Sequence, residues 1–167
     1  MIEEPPILKI KRPNRRPTQA QIDAFQGVPT GFVCDAMDGL GAMDKAIQAL
    51  GASEGMAHTA AGPALTIYDG PADILANLAA LKFVQNGDIL VSCVDGFQGC
   101  ATVGDRITGM AKNCGAAGFV TDGPMRDFEG VVKVGLPSWC TGLNPNSPFT
   151  KGPGTVGFGV HLGGRQV

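Results

Sequence analysis

The sequence predicts an α/β fold built around a locally parallel strand–helix–strand core, and three observations carry this. "ILVSCV" (89–94) and "AGFVT" (117–121) are short, continuous apolar runs of the kind that form buried parallel strands. Between them, Ile107, Met110, Ala111 and Cys114 fall at i, i+3, i+4 and i+7, which predicts a helix over 105–113 with one buried face. "RDFEGVVKVG" (126–135) and "LPSWCTG" then repeat the order of helix and strand, so the unit from Ile89 to Gly142 alternates as parallel units do.

The remaining elements follow in chain order. Lys9, Lys11, Arg12, Arg15 and Arg16 form a short, Pro-interrupted basic cluster, expected as a solvated N-terminal arm. "PTQAQIDAF" starts a helix: Thr18 follows Pro17 as N-cap, and Gln21 three residues on completes a capping box. "TGFVCDAMDGLGAMD" (30–44) predicts a second short helix ending at Gly39 or Gly41, with Asp35 and Asp38 on its polar face. "AAGPALTIY" (60–68) predicts a strand, and Asp73 is expected to cap a helix over 72–84, where Ile74, Leu75, Leu78, Ala79 and Leu81 form the apolar stripe. Gly115 closes the helix over 105–113. "NPNSPFTKGPG" reads as a loop and "TVGFGVHLGG" as a last strand.

Composition narrows the function classes. At 167 residues, 44 % hydrophobic and 17 % charged, the chain suits one globular domain with a real core, and its 25 glycines predict many tight turns. A net charge of −2 argues against nucleic-acid binding through a basic surface. No apolar run reaches the roughly 18–20 residues of a membrane helix, and the N-terminus lacks the order of a signal peptide. Five cysteines, an odd number without a C-x-x-C pair, point to reduced cytoplasmic thiols rather than disulfides or zinc, with Cys93 and Cys100 as small core residues. Only two histidines, His58 and His161, and no G-x-S-x-G speak against a His-rich metal site or a serine triad. No glycine-rich nucleoside-binding loop with an acidic partner stands out.

Ligands in α/β units collect beyond the carboxyl ends of the parallel strands. Two loops belong there, "GCATVGDRI" and "DGPMRD", and they follow consecutive strands. In the first, Gly104, Asp105, Arg106 and Ile107 open a helix whose free N–H groups can cradle a carboxylate or phosphate. Read more plainly, Asp105 is an N-cap. In the second, Arg126 is a bidentate anion clamp and Asp127 a hard oxygen ligand suited to Mg²⁺. The plainer reading here is a surface ion pair or a charged first helical turn.

"GDRITGMAKNCGAAGFVTDGPMRD" resembles the signature of the regulator of ribonuclease activity A-like family, which includes class II 4-hydroxy-4-methyl-2-oxoglutarate aldolases and many members labelled as dimethylmenaquinone methyltransferases. "VPTGFVCDAMDGLGAMD", "GPALTI", "NGDILV" and "GLPSWCTGLNPNSP…GPGTVGFGVHLGG" support it, so the likeness runs from about Phe25 to Gly164. The resemblance implies a swivelling β/β/α fold in trimers or hexamers, with sites near subunit interfaces. Residues 1–24 are expected to form an N-terminal arm and helix start and 25–167 a single α/β domain; relatives usually continue past "HLGG" with a Pro-Gly-Asp turn and strands, so the resemblance implies a chain truncated or incompletely represented at its C-terminus.

For function, the resemblance implies divalent-metal-dependent retro-aldol cleavage to pyruvate, or decarboxylation of oxaloacetate, with Mg²⁺ or Mn²⁺ as cofactor. Its matching positions are the backbone of Gly104, Asp105, Arg106 and Ile107, Arg126 for substrate and Asp127 for metal; the chemistry itself suits the 104–107 amides to the substrate carboxylate, Arg126 to the growing oxyanion and Asp105 to orienting a water that moves protons. Aldolases of the family often carry a carboxylate three positions beyond the Asp of Arg-Asp; here that position is Gly130, and Glu129 is one short. The alternative implied by other members is a non-catalytic regulatory trimer that binds a protein partner such as ribonuclease E.

Overall fold

A computed structural model describes residues 4–12 and 15–167. The first three residues of the expected arm, with Pro13 and Asn14, lie outside the described residues. The strands are β1 (Leu8–Ile10), β2 (Gln48–Ala49), β3 (Ala64–Tyr68), β4 (Ile89–Cys93), β5 (Gly118–Thr121), β6 (Ser138–Cys140), β7 (Gly154–Val156), β8 (His161–Leu162) and β9 (Arg165–Gln166). The helices are α1 (Gln19–Asp23), α2 (Thr30–Asp35), α3 (Leu75–Ala80), α4 (Asp105–Asn113) and α5 (Phe128–Val134). Seven strands form one sheet in the order β1-β7-β3-β4-β5-β6-β2, and β8 pairs with β9 separately.

The centre of the sheet, β3-β4-β5-β6, is parallel, with Leu90 opposite Phe119 and Val91 opposite Val120. The fold is therefore the mixed α/β class with the parallel strand–helix–strand core that the sequence predicts. β4 is buried on both faces, which is why its sequence is a continuous apolar run rather than an alternating one. Leu90 points into a core shared with Ile67, Phe119, Ile107 and Val131 under α3, α4 and α5. Ile89, Val91 and Cys93 point the other way, against Val160 and Leu162.

α4 covers the residues its periodicity predicts, and Gly115 follows it in the left-handed region at φ 94°. The Thr18–Gln21 capping box is present at α1. Five expectations need correction. The basic stretch does not begin as a free arm: Leu8–Ile10 is an edge strand parallel to β7, and Arg16 pairs with the buried Asp88 at 2.5 Å. The last strand is broken, because Gly157 sits at φ 77° where a Cβ would meet the Lys11 carbonyl oxygen. α2 ends at Asp35 and α3 is shortened to Leu75–Ala80. Finally, the N-cap position of α3 is Ile74 rather than Asp73, and two carboxylates share its first-turn amides: Asp73 accepts from Leu75 N (2.8 Å) and also from Lys151 N, while Asp69 accepts from Ala76 N (2.8 Å) and Asn77 N (3.1 Å).

Candidate active site

The two loops beyond β4 and β5 meet. Their contact continues the sheet past the strand ends: Val103 bridges Met125 in parallel, Met125 bridges Leu143, and Arg126 N donates to the Val103 carbonyl at 3.1 Å. The β4–α4 loop is held by Asp122, a buried carboxylate that accepts from Val94 N (2.8 Å) and Gly96 N (2.9 Å). This places the start of α4 beside the β5–α5 turn, as the strand order requires.

Gly104 is the closest point. A Cβ there would stand 2.5 Å from Asp127 Oδ2 and 3.0 Å from Arg126 Cγ. A side chain at 104 would thus push the Asp127 carboxylate aside, while the backbone itself, at φ −139°, makes no demand for glycine. Gly104 also supplies no side-chain cap, so the opening amides of α4 have no side-chain acceptor. Asp105 is the first helical residue rather than the N-cap, and it is half-buried. Its carboxylate lies over Gly130, where a Cβ would come within 2.6 Å of Asp105 Oδ2. The space at position 130 is therefore filled by Asp105. Arg106 is exposed and Ile107 is core.

Arg126 and Asp127 precede α5 rather than forming its first turn. Asp127 occupies the N-cap position in the left-handed region (φ 57°, ψ 47°) without capping the helix through its side chain. That conformation is uncommon for a residue with a Cβ, and Asp is one of the few that tolerate it. Arg126 Nε lies 3.3 Å from Asp127 Oδ2, with the two side chains 34 % and 46 % exposed, so the pair touches and yet keeps open faces. Arg126 Nη1 donates to Ser147 Oγ at 2.5 Å.

Ser147 belongs to the segment read only as a loop, and sequence reasoning missed it. The signal lay in the Asn-Pro-Asn run before it. Asn144 Nδ2 donates to the Gln98 carbonyl (2.8 Å) and Asn146 Nδ2 to that of Gly99 (3.0 Å), strapping the segment to the β4–α4 loop. Asp122 was missed too, because a buried loop clamp and an exposed turn residue look alike in "TDGP".

Of the other titratable groups, Cys100 has a thiol raised by burial and lies close enough to feel the Arg126 charge, which works against that rise. Burial pushes the Cys93 thiol up to about 12 and raises those of Cys100 and Cys140, which fits inert core cysteines. Its hydrogen bond to Asp95 pushes Tyr68 up to about 12. His161 is exposed in β8. Among the described residues no group of three or more His, Cys, Asp or Glu side chains gathers as a metal cage, and no helix is long and apolar enough to cross a membrane.

The same arrangement of strands recurs in known proteins. The crystal structure of Streptomyces coelicolor RraAS2, titled an unusual member of the RNase ES inhibitor RraA protein family, is 30 % identical with a TM-score of 0.74, over 90 % of this chain and 78 % of that one. A Geobacillus kaustophilus structure titled S-adenosylmethionine: 2-dimethylmenaquinone methyltransferase is 25 % identical with a TM-score of 0.74, over 83 % of this chain and 84 % of that one. A Halalkalibacterium halodurans protein named "Putative 4-hydroxy-4-methyl-2-oxoglutarate aldolase" is 33 % identical over 153 residues, 90 % of this chain and 71 % of that protein. The family model described as "RraA-like: Aldolase/RraA" matches residues 30–167, which hold both meeting loops and the whole parallel core. With this span of sequence and this fold in agreement, the chain belongs to the RraA-like family.

Proposed function

We propose that this chain is a divalent-metal-dependent carbon–carbon lyase acting next to a pyruvyl group, by 4-hydroxy-4-methyl-2-oxoglutarate-type retro-aldol cleavage, oxaloacetate decarboxylation, or both. The observation that carries this reading is the convergence at Gly104: the uncapped start of α4, Arg126 and Asp127 meet within a few ångströms. The aldolase name of the H. halodurans relative supports it.

Asp127 fits a cation that keeps most of its own waters. It is an exposed hard-oxygen donor, and among the described residues no group of three or more His, Cys, Asp or Glu side chains surrounds it, which suits Mg²⁺ or Mn²⁺ and not Zn²⁺. Bound there, the cation would act as a Lewis acid toward a keto oxygen. The rest falls to the chain. The amides of Gly104, Asp105, Arg106 and Ile107 hold the substrate carboxylate at the positive end of α4. Arg126 donates to the C2 oxygen as the C3–C4 bond breaks and its electrons move toward that oxygen. In the retro-aldol direction the C4 hydroxyl loses its proton and becomes a second keto group; in decarboxylation CO₂ leaves. Asp105 moves the proton that ends on C3, giving pyruvate. The site lies near the interface between subunits of a trimer or hexamer, and the free thiols suit a reducing cytoplasm.

The test is pyruvate release from oxaloacetate and from 4-hydroxy-4-methyl-2-oxoglutarate, with and without EDTA. Activity lost with chelator and restored by Mg²⁺ or Mn²⁺ is expected; full activity in metal-free protein refutes the metal role. The likeness to RraAS2 favours a second reading, a non-catalytic partner-binding protein. Absence of any pyruvate release with metal present selects it.

A further inference from the structure

We infer that Ser147 is a positioning residue for Arg126, holding its guanidinium ready for the anionic substrate; this rests on the lyase reading of the site. Arginine has a long, rotamer-rich side chain, and a free surface arginine spends most of its time elsewhere. Arg126 is held at two points instead: Nε against Asp127 Oδ2 at 3.3 Å, and Nη1 against Ser147 Oγ at 2.5 Å. Two anchors on a planar group fix its plane, and the N–H groups not so used remain to meet an oxyanion.

A serine on a mobile loop could not do this. The Ser147 segment is fastened on both sides of the site. Ala101 N donates to the Asn146 carbonyl at 3.0 Å, and Asn144 N donates to the Met125 carbonyl, next to Arg126, at 2.9 Å. Asn146 N donates to Asn144 Oδ1 at 2.9 Å, closing the turn that presents Ser147, and Pro145 and Pro148 stiffen it further. The segment thus bridges the loop that carries the α4 amides and the turn that carries Arg126. Ser147 Oγ is its contact with the reacting end of Arg126.

The experiment compares Ser147→Ala, Ser147→Thr, Arg126→Ala and the Ser147→Ala/Arg126→Ala double variant in the full chain. Three readouts are taken: KM and kcat for oxaloacetate, calorimetric binding of oxalate (a planar analogue of the pyruvate enolate) with Mg²⁺, and water exchange of the Arg126 Nε–H in ¹⁵N spectra. Ser147→Ala is expected to leave Tm unchanged, to raise KM and the oxalate Kd about three- to tenfold through lost preorganisation, and to speed Nε–H exchange. Ser147→Thr, which keeps the hydroxyl, restores most of this. In the Arg126→Ala background the serine substitution adds nothing. Wild-type affinity and exchange in Ser147→Ala overturn the positioning role while the lyase reading stands. A Ser147→Ala effect that persists without Arg126 overturns it as well, because the serine then acts elsewhere. If Arg126→Ala keeps full turnover and oxalate affinity, the lyase reading of this site fails and the positioning role falls with it.

Discussion

Asp127 stands in the left-handed region at φ 57°, and this shapes how its role is tested. Alanine there would add about 1–2 kcal/mol of backbone strain to any loss of function. Asn tolerates the conformation, so Asp127→Asn is the cleaner variant: Mn²⁺ affinity is expected to fall with Tm nearly unchanged, read by metal titration and thermal melting. Arg126→Ala is expected to keep metal affinity and to lose about 10²–10³ in turnover, the cost of one preorganised oxyanion donor. A bare exposed ion pair is worth only about 0–1 kcal/mol, so turnover and binding, not stability, separate the two readings of Arg126 and Asp127. Gly104→Ala tests the convergence itself. Its Cβ would displace the Asp127 carboxylate from 2.5 Å, so metal affinity is expected to drop in a folded protein.

Two helices rest on carboxylates. α3 hangs from Asp69, whose carboxyl is 2 % exposed and also lies 2.5 Å from Asn77 Nδ2. Burial is the largest influence on Asp69 and pushes it up to about 7, against the hydrogen bonds from Asn77 and Ala76 that favour its charged form, and nearby Asp73 raises it further. The folded state therefore keeps this proton where the unfolded chain has released it. Stability from this group is complete below about pH 4 and is lost as pH rises through about 7. Asp69→Asn is expected to flatten that part of the stability–pH curve, as denaturant melts between pH 5 and 8 can show. α5 lies against the second, Asp105. Gly130→Ala gains about 1 kcal/mol of helix propensity but drives its Cβ to within 2.6 Å of Asp105 Oδ2. Turnover is expected to fall while Tm changes by a few degrees at most.

At the scale of the whole molecule, the N-terminal helices are the loosest part. α1 and α2 bury no residue, and Phe25, Phe32, Met37 and Leu40 are all more than half exposed on this one chain. A cavity of about 690 Å³ lies between them and the sheet residues Ile89, Val120 and Trp139. Such an apolar surface fits self-association. Light scattering is expected to give a trimer or a multiple of it, and Phe32→Glu to shift it toward smaller species. A wild-type monomer at micromolar concentration contradicts the expectation.

The sequence by itself determined the parallel core and the position of the two loops. A β4 run buried on both faces and an α4 stripe at helical spacing are local patterns, and strand order then dictates that consecutive loops share an edge. It did not determine that Lys9 lies in an edge strand, because three residues of β1 become a strand only where β7 offers free backbone groups. Nor could it show Gly104 against Asp127, Asp105 over Gly130, or Ser147 on Arg126. Each is a contact between segments far apart in sequence. Such contacts depend on how the strands twist and where the turns point, and no periodicity in the chain encodes that.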